Sequence, residues 1–136
     1  MRVVFDTNIF ISAFVIPGSL AERAVMKIVA GEDVLILSKD ILDELLSVLS
    51  LKFSRDREEI SRVAVFLSEI AEWVKPTEEL RVLKDEPDNR ILECAVGGKA
   101  DLIVTGDKEM LKLGIHGRTK ITGLNTYLRE WPPGTQ

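Results

Sequence analysis

Three short runs of aliphatic and β-branched residues, at positions 2–5, 33–37 and 101–104, are separated by segments whose apolar residues recur at helical spacing. That spacing predicts helices over 19–30, 39–51, 57–73, 89–96 and 108–113, a weaker strand at 120–121 and a closing helix over 124–130. Turn-forming residues fall where these segments should stop. Pro17-Gly18 ends a short first helix, Gly31 ends the second and Gly97-Gly98 the fifth, and Pro132-Pro133 follows the last. Strands alternating with helices build a parallel α/β sheet. No repeat, low-complexity tract or second core interrupts the pattern, so one domain is expected over 1–130, with 131–136 as a loose tail.

Composition narrows the class. Apolar residues make up 46% and charged residues 29%, and no stretch approaches the ~20 apolar residues of a membrane span. Charged Arg2 is followed by only a short strand before Asp6, so no signal peptide is expected. The single Cys94 has no partner for an internal disulfide, which fits a cytoplasmic protein, and it reads as a small core residue. A net charge of −4 argues against a protein that coats nucleic acid. It leaves room for an enzyme whose acids gather around cations, because bound divalent ions reverse the local field.

Three acids stand where strands end or helices begin. Asp6 closes the first strand, Asp107 follows "DLIVTG", and Asp88 opens the helix of "DEPDNRILECA". Ligands of open parallel sheets bind beyond the carboxyl ends of the strands, so the three should share one edge. Each also has a plainer reading as a helix cap: Asp6 and Asp107 directly precede helices, and Asp85 could cap with Asp88 reaching back. Convergence counts against capping alone, because unneutralised carboxylates repel. A fourth acid comes from "SKDILDELLSVLSLKF". Ile41, Leu42, Leu45, Val48 and Leu49 form the apolar stripe there, with Glu44 on one border and Asp43 on the other, and periodicity does not choose between them.

The ordered set "VVFDTNIFISA", "LSKDILDELLSVL" and "DEPDNRILECAVGGKADLIVTGDKEML" resembles the PIN-domain family, in particular the VapC-like toxin components of toxin–antitoxin systems. The resemblance runs from Met1 to about Leu128. It implies a three-layer α/β/α sandwich around a mostly parallel sheet of four to five strands, and a magnesium- or manganese-dependent endoribonuclease using one or two ions. The implied metal and catalytic set is Asp6, Glu44, Asp88 and Asp107; Glu44 is chosen over Asp43 because it directly precedes Leu45 in the family's helix motif. Asn8, Thr105, Asp85 and Asn89 match polar neighbours of those acids. The resemblance further implies RNA as substrate, a small antitoxin as partner, and a homodimer.

The chemistry stands beside the resemblance. Phosphodiester hydrolysis needs an activated water and charge relief on the phosphate oxygens, and hard oxygen ligands holding two ions ~3.5–4 Å apart can supply both. The lone histidine, His116, lies in "GIHG", read as a Gly-rich turn, with no nucleophile elbow to serve it. No Gly-rich dinucleotide cradle follows the first strand. An aspartate-nucleophile phosphatase would usually want a second aspartate at position 8, which is Asn. A non-catalytic RNA-binding or scaffold protein of the same fold is the alternative from another class; it should bind RNA with a chelator present. Arg90 and Lys108, next to proposed acids, are candidates to touch substrate phosphates.

Overall fold

The computed structural model describes residues 1–130; the tail expected over 131–136 lies outside them. At its centre, Val3, Val4 and Phe5 of β1 (Arg2–Phe5) are wholly buried. A strand covered on both faces has no reason to alternate apolar with polar, which is why this one reads as a continuous apolar run. β2 (Val34–Leu37) and β4 (Leu102–Val104) flank it in parallel and are built the same way. Beyond them lie β3 (Ala71–Trp73) on one side and β6 (Thr119–Thr122) on the other, and β5 (Ile115–His116) pairs antiparallel with β6. The order is β3-β2-β1-β4-β6-β5.

Helices α1 (Thr7–Val15), α2 (Leu20–Val29), α3 (Lys39–Lys52), α4 (Arg57–Ile70), α5 (Glu86–Gly97), α6 (Lys108–Leu113) and α7 (Leu124–Glu130) flank the sheet and complete the three layers. The longer helices against the core bury a stripe. In α2 it is Ala21, Ala24, Val25 and Ile28, at i, i+3, i+4 and i+7, and Ser19 caps the helix by accepting the Glu22 amide at 3.2 Å. Gly98 ends α5 where the helix presses on β2. A Cβ there would stand 2.4 Å from Ile36 Cγ2, so no other residue fits. No single helix among the described residues is long and apolar enough to cross a membrane.

The sheet has six strands where four to five were expected. Residues 71–73, read as the end of a helix over 57–73, leave α4 at Ile70 and pair with Leu35, Ile36 and Leu37. Leu67, Ile70 and Val74 continue the helical period past the true end, so only pairing along the free edge of β2 reveals the strand. His116, read as part of a turn, lies in β5 at the far sheet edge, opposite Thr119. Helix α5 also starts three residues before the expected Asn89, with Pro87 in its first turn, where the missing N–H costs nothing.

At the amino edge of the strands, buried Asp33 docks α7. Its Oδ2 accepts from Tyr127 Oη at 2.5 Å and lies 3.6 Å from Lys27 Nζ, while Oδ1 accepts from the Met1 ammonium at 3.1 Å. Burial pushes its pKa up, but the Tyr127 hydroxyl and the two cations outweigh that and leave it lowered. This is a buried acid fully compensated by its surroundings.

Candidate functional site

The direction of strand order reverses at β1: the chain continues to β2 on one side and returns to β4 on the other. Such reversals leave a crevice beyond the strands' carboxyl ends. Phe5 pairs with Val104, and the Asp6 amide donates to the Val104 carbonyl at 3.0 Å, which brings Asp6 and the residues after β4 together. Asp6 occupies the N-cap position of α1 but makes no capping bond there; the amides of Asn8 and Thr7 only favour its charge. Instead its Oδ2 accepts from Thr105 Oγ1 at 2.6 Å. Thr105 Oγ1 in turn accepts the Asp107 amide at 3.0 Å. Asp107 is a true cap, with Oδ1 accepting from Met110 N at 3.0 Å. The capping reading therefore holds for Asp107 and fails for Asp6.

Asp88 reaches this crevice from the first turn of α5. Burial, then the charges of Asp107, Asp6, Asp85 and Glu44, push its pKa up to about 7. Burial likewise raises the pKa of Asp6, and Asp107 adds to it, against the opposing hydrogen bond from Thr105. Glu44 is raised by burial, then by Asp6 and Asp85, with Lys52 opposing. These mutual effects put Asp6, Asp85, Asp88, Asp107 and Glu44 in one region. Asp43 is not among them: it is exposed on the neighbouring face of α3 and pairs with Lys39 at 2.5 Å.

Asp33 supplies the contrast. That buried acid is held by two cations and a hydroxyl, whereas no cation among the described residues offsets the charges of Asp6 and Asp88. Stability alone gives no reason to bury acids uncompensated, and such groups mark functional sites.

The remaining candidates fall in different places. Thr105 is wholly buried against Asp6, Asp85 is exposed at the N-cap of α5 without a capping bond, and Asn8 is exposed. Asn89 is turned toward the segment before α5. Its Oδ1 accepts from the Val82 and Leu83 amides at 3.1 and 2.8 Å, and its Nδ2 donates to the Leu83 carbonyl at 2.8 Å. Arg90 is committed to Glu93 at 2.6 Å, Glu86 at 3.3 Å and the Leu80 carbonyl at 3.3 Å. Lys108 is exposed at the start of α6 with no carboxylate partner among the described residues. Sequence reasoning passed over two residues. Thr7, beside Asp6, has a buried Oγ1 with no hydrogen-bond partner among the described residues, and Glu93, buried, accepts the Leu80 amide at 2.8 Å. Only the "DTN" that contains Thr7 gave any hint of the first.

Among the described residues, no three acidic, histidine or cysteine side chains converge as a ready-made ligand set. Carboxylates that repel one another are expected to stand apart until a cation draws them in. The donor chemistry nonetheless fits a divalent cation: oxygen ligands only, a Thr7 hydroxyl unpartnered among the described residues, and uncompensated charge are what a hard cation selects. Cys94 is buried, and burial pushes its thiol up to about 12, so it offers no thiolate ligand.

A PIN-domain family model matches residues 2–109. An uncharacterized protein of Methanocaldococcus jannaschii, MJ1680, is 31% identical over 117 residues, spanning 83% of this chain and 75% of that protein. Among solved structures, VapBC2 from Rickettsia felis, bound to a DNA fragment from its promoter, is similar with a TM-score of 0.67 at 20% identity, over 90% of this chain and 98% of that one. VapBC-1 from nontypeable Haemophilus influenzae gives a TM-score of 0.62 at 21% identity, over 92% and 99%. At those identities the likeness is one of fold.

Proposed function

This chain belongs to the PIN-domain family, and from that premise we propose that it is a metal-dependent endoribonuclease, one nuclease unit over 1–130, acting as the toxin of a toxin–antitoxin pair. The observation that carries the reading is the group of uncompensated acids at the β1–β4 crevice. Asp6, Glu44, Asp88 and Asp107 would hold one or two magnesium or manganese ions, which when bound supply the charge relief and water activation that hydrolysis requires.

The chain's own part is positional. Thr105 fixes Asp6 by its hydrogen bond and, through the Asp107 amide, ties both strand-end acids to one hydroxyl. Asp107 is further held by its cap bond to α6, so one oxygen is anchored by structure. Asp88, with a pKa near 7 before any ion arrives, is the acid whose proton must leave for the set to be fully charged. Lys108, exposed and without a carboxylate partner among the described residues, stands next to Asp107 and is available to a substrate phosphate. The likeness to VapBC structures supports a small antitoxin partner, and we extend it to a homodimer.

The test is cleavage of single-stranded RNA by the purified chain in manganese, compared with excess chelator and with Asp6→Asn. Cleavage should vanish in both comparisons. RNA bound but never cleaved, with or without manganese, would leave the non-catalytic binding protein as the better account.

A further inference from the structure

Between β3 and α5 the chain runs from position 74 to 85 without helix or strand. Side chains of α5 nevertheless hold the later part of it as a neighbouring strand would. Glu93 Oε2 accepts the Leu80 amide at 2.8 Å, and Arg90 Nη2 donates to the Leu80 carbonyl at 3.3 Å. One turn earlier on the helix, Asn89 meets three backbone groups with one side-chain amide: Oδ1 accepts from Val82 and Leu83, and Nδ2 donates to the Leu83 carbonyl. The same Nδ2 reaches Glu86 Oε1 at 3.5 Å, inside the first turn of α5. Asn89 is wholly buried, and asparagine is a poor helix former, so it stands here for these contacts.

The amino end of α5 lacks the usual fastening. Asp85 occupies the N-cap position, but its carboxylate makes no capping bond, and Pro87 in the first turn has no N–H to offer. The turn closes on the Asp85 carbonyl, which accepts the amides of Asp88 at 3.1 Å and Asn89 at 3.4 Å. Charge works against it. Asp85 adds to the repulsion felt by Asp88 and by Glu44, which presses the turn away from the crevice. The opposing hold is the Asn89 side chain, which grips the chain two and three residues before Asp85.

Building on the nuclease reading, we propose that Asn89 is a positioning residue for the metal site: by clamping positions 82–83 to α5 it holds the first turn, and with it Asp88, where a divalent cation can be met. It bonds to none of the four proposed ligands and acts through the backbone. This division of labour leaves the Asp85 carboxylate free beside Asp88, where a capping bond would have consumed it.

The test follows the full chain in chelator and in manganese. In chelator, hydrogen exchange of the amides at positions 82–88 should be about tenfold faster or more in Asn89→Ala, and unchanged in Val25→Ala, which lowers stability from the buried stripe of α2 without touching the clamp. Calorimetric titration, at a temperature where each variant is folded, should show manganese affinity about 10–100-fold weaker for Asn89→Ala and unchanged for Val25→Ala. Cleavage of single-stranded RNA by Asn89→Ala should recover as manganese is raised. Where Asn89→Ala does not fold, Asn89→Ser, too short to bridge two amides and a carbonyl, is read in the same way. Wild-type manganese affinity in the variant, or unchanged exchange at 82–88, overturns the proposal. A wild type that binds no manganese and cleaves nothing would sink the nuclease reading and the role of Asn89 with it. A wild type that binds and cleaves, beside an Asn89→Ala that does both equally well, would sink the role of Asn89 alone.

Discussion

Thr105 and Asp6, 99 residues apart in sequence, are joined by a 2.6 Å hydrogen bond from the threonine hydroxyl to the carboxylate across the β1–β4 seam. The same oxygen accepts the Asp107 amide, so one side chain sets the spacing of two proposed metal ligands. Thr105→Val keeps the shape and removes both bonds. It should cost about 1–3 kcal/mol of stability and weaken manganese affinity by about 10–100-fold, with Thr105→Ser largely restoring both. Calorimetric melting and metal titration read the two effects, and unchanged metal affinity in the valine variant would remove Thr105 from the site.

Glu44 and Asp43 are separated by the structure in a way that substitution can check. Glu44 is half-buried and feels Asp6 and Asp85, whereas Asp43 is exposed and pairs with Lys39. Glu44→Gln should reduce RNA cleavage by orders of magnitude and recover partly at high manganese. Asp43→Asn should cleave normally and shift stability by no more than about 0.5 kcal/mol. An inactive Asp43→Asn beside a normal Glu44→Gln would reverse the assignment.

The metal-free protein should become less stable as pH rises from 5 to 8. Asp88 has a pKa of about 7 when folded against an ordinary value of 3.8, so its proton favours the folded state fully below 3.8, and that benefit disappears as pH climbs through 7. Asp6 and Glu44, also raised, act in the same direction. Asp33, which is lowered, contributes a stabilising effect lost only as pH falls, so it is constant across this window. Melting temperatures measured in chelator should therefore fall over this range, fall less in Asp88→Asn, and recover with manganese. Manganese affinity should weaken on acidification from 8 to 6, because protons compete for Asp88. A melting temperature that is level across the range in chelator would contradict the uncompensated cluster.

What could be read from sequence followed from where in an element a residue stands. Asp6 and Asp107 were legible because a strand that runs apolar and then meets an acid marks the carboxyl edge of a parallel sheet. Asp43 and Glu44 were not separable, since both border one stripe; the difference is the Lys39 partner of Asp43 and the Asp6 and Asp85 charges that reach Glu44. Strand β3 stayed hidden because Leu67, Ile70 and Val74 carry a helical period through it. The work of Asn89 and Glu93 was out of reach as well. Beyond the Arg90–Glu93 pair, they bind backbone groups at positions 80–83, which no residue pattern announces, and Asn89 lies 100° around the helix from Asp88 despite being next to it.

The pairing of β1 with β4 has a consequence in time. The hydroxyl that orients Asp6 is encoded 99 residues later, so on a ribosome adding about 5–20 residues per second the two halves of the seam are born roughly 5–20 s apart. Until then a nascent chain carries Asp6 at the open side of β1, with neither Thr105 nor Asp107 to complete the crevice. Asp6 and Asp107 therefore come to share one hydroxyl only after the chain has passed residue 107 and that stretch has cleared the ribosome.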